Sequence, residues 1–482
     1  MTEQCNSIGV GLDFGTSNSA AAWFDGRTVH KIHLETGLDV TPTAVHLNRE
    51  LVARTGSEAI VQYIEENRDR IVELTPEVVA HASLLTGEAT ADDPFSQPEI
   101  STSAVYGAAV IDRGLPGRLF RGVKRLIGQV EIKRLMVFDH PFRLVALMTP
   151  MLKAMRVAID ASIPALTHQI VIGRPVHFEG AVDADRVALK RLREAAEYAR
   201  LAPDTFYPEP LAATLSYLHA RNRTSLSAGA AGMAFTFDFG GGTLDLSLVR
   251  YQGVEMTVLG TSGLALGGDH IDQLMFKRFV SPELGQGERW VRRVDGEVVD
   301  TEFPFKEFEP LLLNWPVTYT LNQNKYRSKL RDGIAGGGAA AVKFARLEEL
   351  IAHNHGYRVF QAIRRAKADL STVELAVIDV PEIDLMVEVH RASFDGLLED
   401  LRLQITALIE TTLSAANVVP EEVDLVVRTG GSSLIAMVQT LLDDLFPGKV
   451  VEHDPFSSVA EGLAIASFYG LRSSSETGED KG

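Results

Sequence analysis

One pattern constrains this chain more than any other, because it occurs twice. Ile8-Gly9-Val10-Gly11-Leu12-Asp13-Phe14-Gly15-Thr16-Ser17-Asn18-Ser19 runs into Ala20-Ala21-Ala22-Trp23-Phe24-Asp25-Gly26. An apolar run, a small polar turn and a second apolar run closing on Asp-Gly read as a β-hairpin followed by another turn. The same order recurs from Ala234 to Val249: strand, Asp238-Phe239-Gly240, a Gly-Gly-Thr turn, strand. A repeat this distant is too long for a solenoid period. It predicts a duplicated domain whose two halves face each other.

Composition narrows the class. A chain of 482 residues suggests roughly two to four compact units. With 45% apolar and 23% charged residues it is globular rather than disordered or fibrous. The formal charge of −17 opposes nucleic-acid phosphates and anionic membranes, so neither partner is expected. The single cysteine, Cys5, cannot form an internal disulfide, which suits a reducing cytosol. Met1 to Ser7 lacks the basic and apolar regions of a signal peptide. The most apolar stretch, Leu144 to Ile159, is interrupted by Pro150, Lys153 and Arg156. The expectation is a soluble, cytoplasmic, multi-lobed protein.

Between the repeats, Gln169 to Ile172 reads as a buried strand entering Gly173-Arg174-Pro175. Asp185 to Arg200 reads as an alanine-rich helix, and Tyr207 to Tyr217 turns from a Pro-Glu-Pro loop into another. Val254 to Leu259 reads as a strand, and Gly267-Gly268-Asp269 opens a helix through Phe279. His355 to Leu370 reads as a helix, and Val423 to Arg428 as a buried strand feeding Thr429-Gly430-Gly431-Ser432-Ser433. Ser281 to Gly338 is the least regular stretch. Ser473 to Gly482 reads as a polar, disordered tail.

Paired hairpins with small turn residues can present backbone N–H groups to phosphate oxygens from opposite sides. Gly240, Gly241 and Gly242 permit close main-chain approach, and Thr16, Ser17 and Thr243 add hydroxyls. Asp13 and Asp238, at the strand ends, then stand beside the phosphates. Two acids next to a polyphosphate repel it unless a Mg²⁺ ion, mostly water-ligated, lies between them. Either turn alone could be a plain loop; the matched pair singles out a phosphate site.

Asp13 to Asn18 resembles the first phosphate motif of the actin, hexokinase and heat-shock ATPase superfamily. Asp238-Phe239-Gly240-Gly241-Gly242-Thr243-Leu244-Asp245 is similar to its second, and Thr429 to Ser433 to its adenosine motif. Tyr207-Pro208-Glu209-Pro210-Leu211-Ala212-Ala213 and Ser458 to Ala464 resemble the two connecting helices. The Glu-Pro-x-Ala-Ala form, Lys124-Arg125-Leu126-Ile127-Gly128 and Leu266-Gly267-Gly268-Asp269 resemble the seventy-kilodalton heat-shock (DnaK-type) branch. Val171 to Pro175 is similar to a shortened, YegD-like subgroup.

The resemblance implies an α/β protein with two ribonuclease-H-like lobes, the actin-like ATPase fold, each with an insertion subdomain and ATP or ADP in the central cleft. Lobe I is expected over 1–230 with an insertion near 45–145. Lobe II is expected over 231–456 with an insertion near 268–385; 457–470 returns to lobe I as a helix, and 471–482 is a tail. Asp13, Glu209, Asp238 and Asp245 become catalytic carboxylates, with Asp13 and Asp238 on Mg²⁺ mostly through water. Asp245 or Asp238 would orient or deprotonate the attacking water. Gly15, Thr16, Ser17, Asn18, Gly240, Gly241, Gly242, Thr243, Gly267, Gly268, Gly430, Gly431 and Ser432 are expected on the nucleotide. Lys367 and Ser371 match a helix that contacts adenosine. Pro175 either relays nucleotide state or simply ends a strand.

Departures from the family pattern shape the functional expectation. A catalytic lysine is expected before the basic helix, yet Gly107 to Arg113 holds none; Arg113 is a poor substitute, and Lys124 reads as structural. Leu434, Phe456 and Arg364 replace an adenine-packing arginine, an aspartate and an acidic residue. Binding with slow hydrolysis is therefore expected, in a chaperone-family protein without a canonical substrate domain. No peptide-clamping domain is expected after Gly470, so any client would meet the insertions, for example at Leu311 to Val317, unless that run is core. A client or co-chaperone is otherwise unspecified. The alternatives are a non-enzymatic nucleotide-dependent scaffold or sensor and a small-molecule kinase of the same superfamily. His30, His33, His353 and His355 have only loose metal-like spacing.

Overall fold

Glycine alternates with large apolar residues along the first strand, and the two kinds face opposite layers. The computed structural model describes residues 8–86, 99–112, 114–163, 168–180, 183–201, 203, 205–221, 230–294, 297–451 and 453–472, with only the backbone for 74–86, 99–111, 168 and 292–294. Cys5, Arg113 and the tail from Ser473 lie outside these residues.

Strand β1 (Ile8–Phe14) pairs antiparallel with β2 (Asn18–Phe24); β2 pairs with β3 (Val29–Ile32) and, at its start, with β4 (Val40–Pro42). On its other edge β1 is parallel to β5 (His168–Arg174), which is parallel to β6 (Thr205–Pro208). The second hairpin repeats this order. β7 (Ala231–Phe239) is antiparallel to β8 (Leu244–Gln252), and β8 to β9 (Glu255–Leu264). β7 is also parallel to β10 (Leu425–Thr429), and β10 to β11 (Val450–Val451). Two sheets with one connectivity make the duplication that the repeated motif predicts, the actin-like ATPase fold.

Val10, Leu12 and Phe14 share a core with helices α1 (Leu144–Ser162) and α2 (Ala184–Tyr198). The other face of the sheet meets α3 (Glu209–Arg221) and α4 (Ser458–Phe468), which also pack on Ala234, Leu425 and Val427 of the second sheet. Nearly every residue of α4 is buried, as a helix enclosed on all sides requires. Glycine makes the enclosure feasible. A Cβ on Gly9 would stand 2.2 Å from the Ala464 carbonyl oxygen, and one on Gly11 2.2 Å from that of Ala460. At Gly462 it would fall 1.8 Å from the carbonyl oxygen of Ala212, so α3 and α4 cross almost backbone to backbone.

The turn before α4 is tied to the first sheet. Asp454 accepts from Lys31 of β3, from the Phe456 and Ser457 amides at 2.9 and 3.1 Å, and from the Ser457 hydroxyl at 2.7 Å. Burial pushes this carboxyl up, but Lys31, the Phe456 amide and the Ser457 hydroxyl outweigh it and bring it to about 2. Ser216 of α3 lies 2.7 Å from His453 Nε2 and donates to Glu461 of α4 at 3.2 Å.

Glu66–Pro116 and Gly287–Gly356 cluster as a second compact unit. It holds an antiparallel hairpin (Leu74–Thr86 with Glu99–Asp112), a second hairpin (Arg289–Val294 with Glu297–Glu302) and helices over Asn324–Ala335 and Gly338–Ala352. Phe303 packs on Phe344 with ring centroids 4.4 Å apart and edge-on against Trp290. Leu312 and Trp315 are buried as well, so the run weighed as a client surface supplies core. The histidines are engaged locally: His353 with Asp69 and Glu349, His33 with Asp39, and His30 with Asp25 while stacked 4.0 Å from Trp23. Among the described residues no helix is long and apolar enough to cross a membrane.

The glycine crossing is testable. Gly462→Ala must separate α3 from α4, and we expect a loss of about 3 kcal/mol in urea unfolding. Gly396→Ala, where a Cβ meets open space, is expected to change stability by less than about 1 kcal/mol. Equal effects of the two substitutions would refute the crossing as the controlling contact.

Candidate functional site

Both hairpin turns open into one cavity of about 590 Å³ in the first unit. The volume suits a ligand of nucleotide size. Asp13 stands one residue before the end of β1, and Asp238 occupies the same place in β7. The hairpin register sets Asp245 opposite Asp238, and Thr429 of the parallel β10 lies beside it on the other side. Glu209 is the first residue of α3, delivered by the Pro208 turn. Its Oε1 would lie 3.3 Å from a Cβ on Gly173 of β5. All four carboxylates predicted from sequence therefore line one cavity.

Their charges are mutually unfavourable. Burial, then Glu209, raises Asp13 to about 7 against the pull of Lys124. Burial, then Asp245, Glu209 and Asp13, raises Asp238 to about 7, with the Thr429 hydroxyl opposing. Asp245 is also raised, by the desolvating cleft walls first, while the Thr243 hydroxyl donates to it at 2.8 Å and holds it down.

A lysine lies among them. Lys124 Nζ donates to Glu209 Oε1 at 2.6 Å, with its side chain only 6% exposed. Burial works against its charge, but Glu209, Asp13 and Asp238 outweigh it and raise its pKa. The expectation that the cleft lacks a lysine is thus corrected: Lys124 lines the cavity. The basic run is also no helix. It is a strand, Gly117–Arg121, then Gly122 at φ 66°, then a 3₁₀ turn over Val123–Leu126. The left-handed glycine ends the strand and turns Lys124 inward; Gly122 was the sequence signal for this.

Sequence reasoning also missed Arg125. Its guanidinium lies against the glycine turn, where a Cβ on Gly242 would fall 1.8 Å from Nη2. Its Nε and Nη2 are buried and make no hydrogen bond among the described residues, and Glu179 stands 3.8 Å away. Such half-engaged cation surface facing a cavity fits an anion.

The glycine turn is backed by two further loops. The amides of Gly268 and Asp269 donate to the carbonyls of Gly240 and Gly241 at 3.0 and 2.7 Å. A Cβ on Gly267 would fall 2.5 Å from Gly242 backbone, and one on Gly430, at φ 77°, 2.4 Å from the Phe239 carbonyl oxygen. Ser432 Oγ donates to the Gly240 carbonyl at 3.1 Å. Gly15, Thr16, Ser17, Asn18, Gly240, Gly241, Gly242, Thr243, Gly430 and Gly431 line the cavity, whereas Gly267, Gly268 and Ser432 support it from behind. Lys367 is engaged elsewhere, donating to Asp272 and to the Gly268 carbonyl; Arg364 donates to the same Asp272 at 3.0 Å. Ser371 follows that helix (Gly356–Asp369) and is not part of the lining.

The donor set suits Mg²⁺. Two carboxylates forced up to about 7 gain from a cation beside them. Among the described residues no three ligating side chains converge closely enough to cage a metal alone, and Mg²⁺ bound through one or two carboxylates keeps water and phosphate as its other ligands.

Comparison with known proteins finds relatives along most of the chain. Residues 127–288 and 351–470, more than half of the chain, match the family model described as Hsp70 protein. The chain is 27% identical over 467 residues to a ribosome-associated molecular chaperone of Zygosaccharomyces rouxii, covering 95% of this chain and 60% of that protein. It is 25% identical over 460 residues to chaperone protein HscA of Pectobacterium carotovorum, covering 95% and 57%. It is 27% identical over 468 residues to a heat shock 70 kDa protein of Oryza sativa, covering 95% and 56%. This chain thus spans little more than half the length of these relatives.

The raised carboxyls carry a pH signature. In metal-free protein the fold keeps protons on Asp13 and Asp238 up to about pH 7, whereas the unfolded chain releases them near 3.8. The native state therefore binds more protons between these values, and their contribution makes stability fall as pH rises, levelling above 7. Thermal midpoints in EDTA from pH 5 to 8 should fall less steeply for Asp238→Asn than for wild type. Parallel curves would refute the assignment.

Proposed function

This chain belongs to the Hsp70 family, and on that premise we propose that it binds Mg²⁺ with ATP or ADP in the cleft and hydrolyses ATP to ADP and phosphate. The observation that carries the reading is Lys124 held on Glu209 among Asp13, Asp238 and Asp245, beside two glycine- and hydroxyl-rich turns. Bound Mg²⁺ would supply charge neutralisation on the phosphate oxygens. The protein's share is positioning and electrostatics, since phosphoryl transfer asks little covalent chemistry of it.

In this proposal the turn amides at Gly240 to Thr243 and the hydroxyls of Thr16, Ser17 and Thr243 cradle the phosphates. Lys124, fixed by Glu209, holds the attacking water and the oxygens of the reacting phosphate. The water oxygen bonds to the γ-phosphorus as the bond from that phosphorus to the β–γ bridging oxygen breaks. The water proton passes to Asp238 or Asp245; burial raises both carboxyls, Asp238 to about 7, which suits a base working near neutral pH. The expectation of slow turnover rests on a missing lysine; Lys124 removes that ground. We propose a chaperone-family ATPase module in the cytoplasm, with the lobes divided as 1–230 and 231–456. Its client or co-chaperone would be a protein rather than nucleic acid or membrane, in keeping with the charge of −17.

The test separates binding from chemistry. Lys124→Ala should keep Mg²⁺-nucleotide affinity within about threefold by titration calorimetry while lowering single-turnover hydrolysis roughly 10²–10³-fold. Asp13→Asn and Asp238→Asn should each weaken Mg²⁺-nucleotide binding at least about tenfold, ~1.4 kcal/mol. A wild type that binds neither ATP nor ADP, with or without Mg²⁺, ends the proposal. Binding without turnover would leave the scaffold reading.

A further inference from the structure

We propose that Phe456 is a stacking platform for the base of the bound nucleotide and that it leaves the cleft tolerant of either purine. This deepens the nucleotide reading above and rests on it. Phe456 lines the cavity with 49% of its surface exposed, although the turn that carries it is rigidly held. Asp454 accepts the Phe456 amide at 2.9 Å, and the Pro455 carbonyl accepts the Gly430 amide at 2.8 Å. The ring lies on Gly431, where a Cβ would fall 2.9 Å from Cε1 and 3.0 Å from Cζ. Any other residue there would displace it.

The position follows from the same wall. Gly430 sits against Phe239 and Gly240, and Gly430, Gly431 and Phe456 line the same cavity as the phosphate turn. A ligand whose phosphates occupy the turn can lay its other end along this wall. A half-exposed aromatic face on a fixed backbone is preorganised for a flat, π-rich group, and every base has such a face. Tolerance follows from what surrounds the ring. Gly430, Gly431, Pro455 and Val459 carry no side-chain donor or acceptor. The hydroxyls of Ser432 and Ser433 are engaged with the Gly240 and Gly430 carbonyls. Stacking without edge readout separates phosphate from nucleotide but hardly adenine from guanine.

Titration calorimetry with Mg²⁺ and three ligands, ATP, GTP and inorganic tripolyphosphate, tests this. Phe456→Ala should weaken ATP and GTP by about tenfold each, ~1.4 kcal/mol, and leave tripolyphosphate within about twofold. Phe456→Trp should keep or tighten both nucleotides, and Gly431→Ala should reproduce the base-dependent loss. Wild-type affinities for ATP and GTP should agree within about fivefold. Unchanged ATP affinity in Phe456→Ala overturns the platform. A hundredfold preference for either purine overturns the tolerance. Tripolyphosphate binding with no gain from the base would sink this inference and spare the phosphate site. A wild type that binds none of the three ligands would remove both.

Discussion

The architecture depends on backbone approaching backbone where side chains are missing. Gly9 and Gly11 on β1 and Gly462 on α4 let one apolar helix lie against the first sheet and against α3 at once. Because α3 also packs on the second sheet, the helix pair spaces the two sheets. The spacing in turn sets the width of the cavity into which both hairpin turns open. The turns follow the same rule: a Cβ on Gly267 would meet the Gly242 backbone and one on Gly430 the backbone of Phe239 and Gly240.

On this scaffold the cleft concentrates charge that would be unfavourable alone. Four carboxylates converge, two of them raised to about 7, and one buried lysine offsets part of their repulsion. A buried ion pair of this kind is weak evidence for stability, because desolvation offsets most of its attraction. Its value is positional. Lys124 is fixed by Glu209 at 2.6 Å, so in the proposed reaction it would need little reorganisation. The polar ties of Asp454, Ser457 and Glu461 around the turn before α4 fix the opposite end of the same cavity.

Local pattern made much of this legible. The hairpins, the strand-end aspartates and Glu209 at a helix start follow from turn chemistry and from the alternation of small and apolar residues. The strand Leu425–Thr429 and the helix Gly356–Asp369 fall within two residues of their expected ends. Lys124 escapes such reasoning because a short run of basic residues suits a helix face, whereas one left-handed glycine, Gly122, splits it into strand and 3₁₀ turn. Lys367 escapes it for another reason: its partner, Asp272, lies on a separate helix, and no local pattern shows that the two meet. The second unit is beyond local reasoning altogether, since it joins segments as distant as Glu66–Pro116 and Gly287–Gly356.

The placement of the three tryptophans has a spectroscopic consequence. Trp290 and Trp315 are buried in the second unit, Trp290 donating to Thr301 at 2.9 Å. Trp23 is the sole indole of the first unit, and it lies stacked on the His30 ring with centroids 4.0 Å apart. Indole emission is therefore chiefly a reporter of the second unit, which holds two of the three tryptophans. Events in the cleft, which holds no indole, would reach the fluorimeter only through one of those two neighbourhoods.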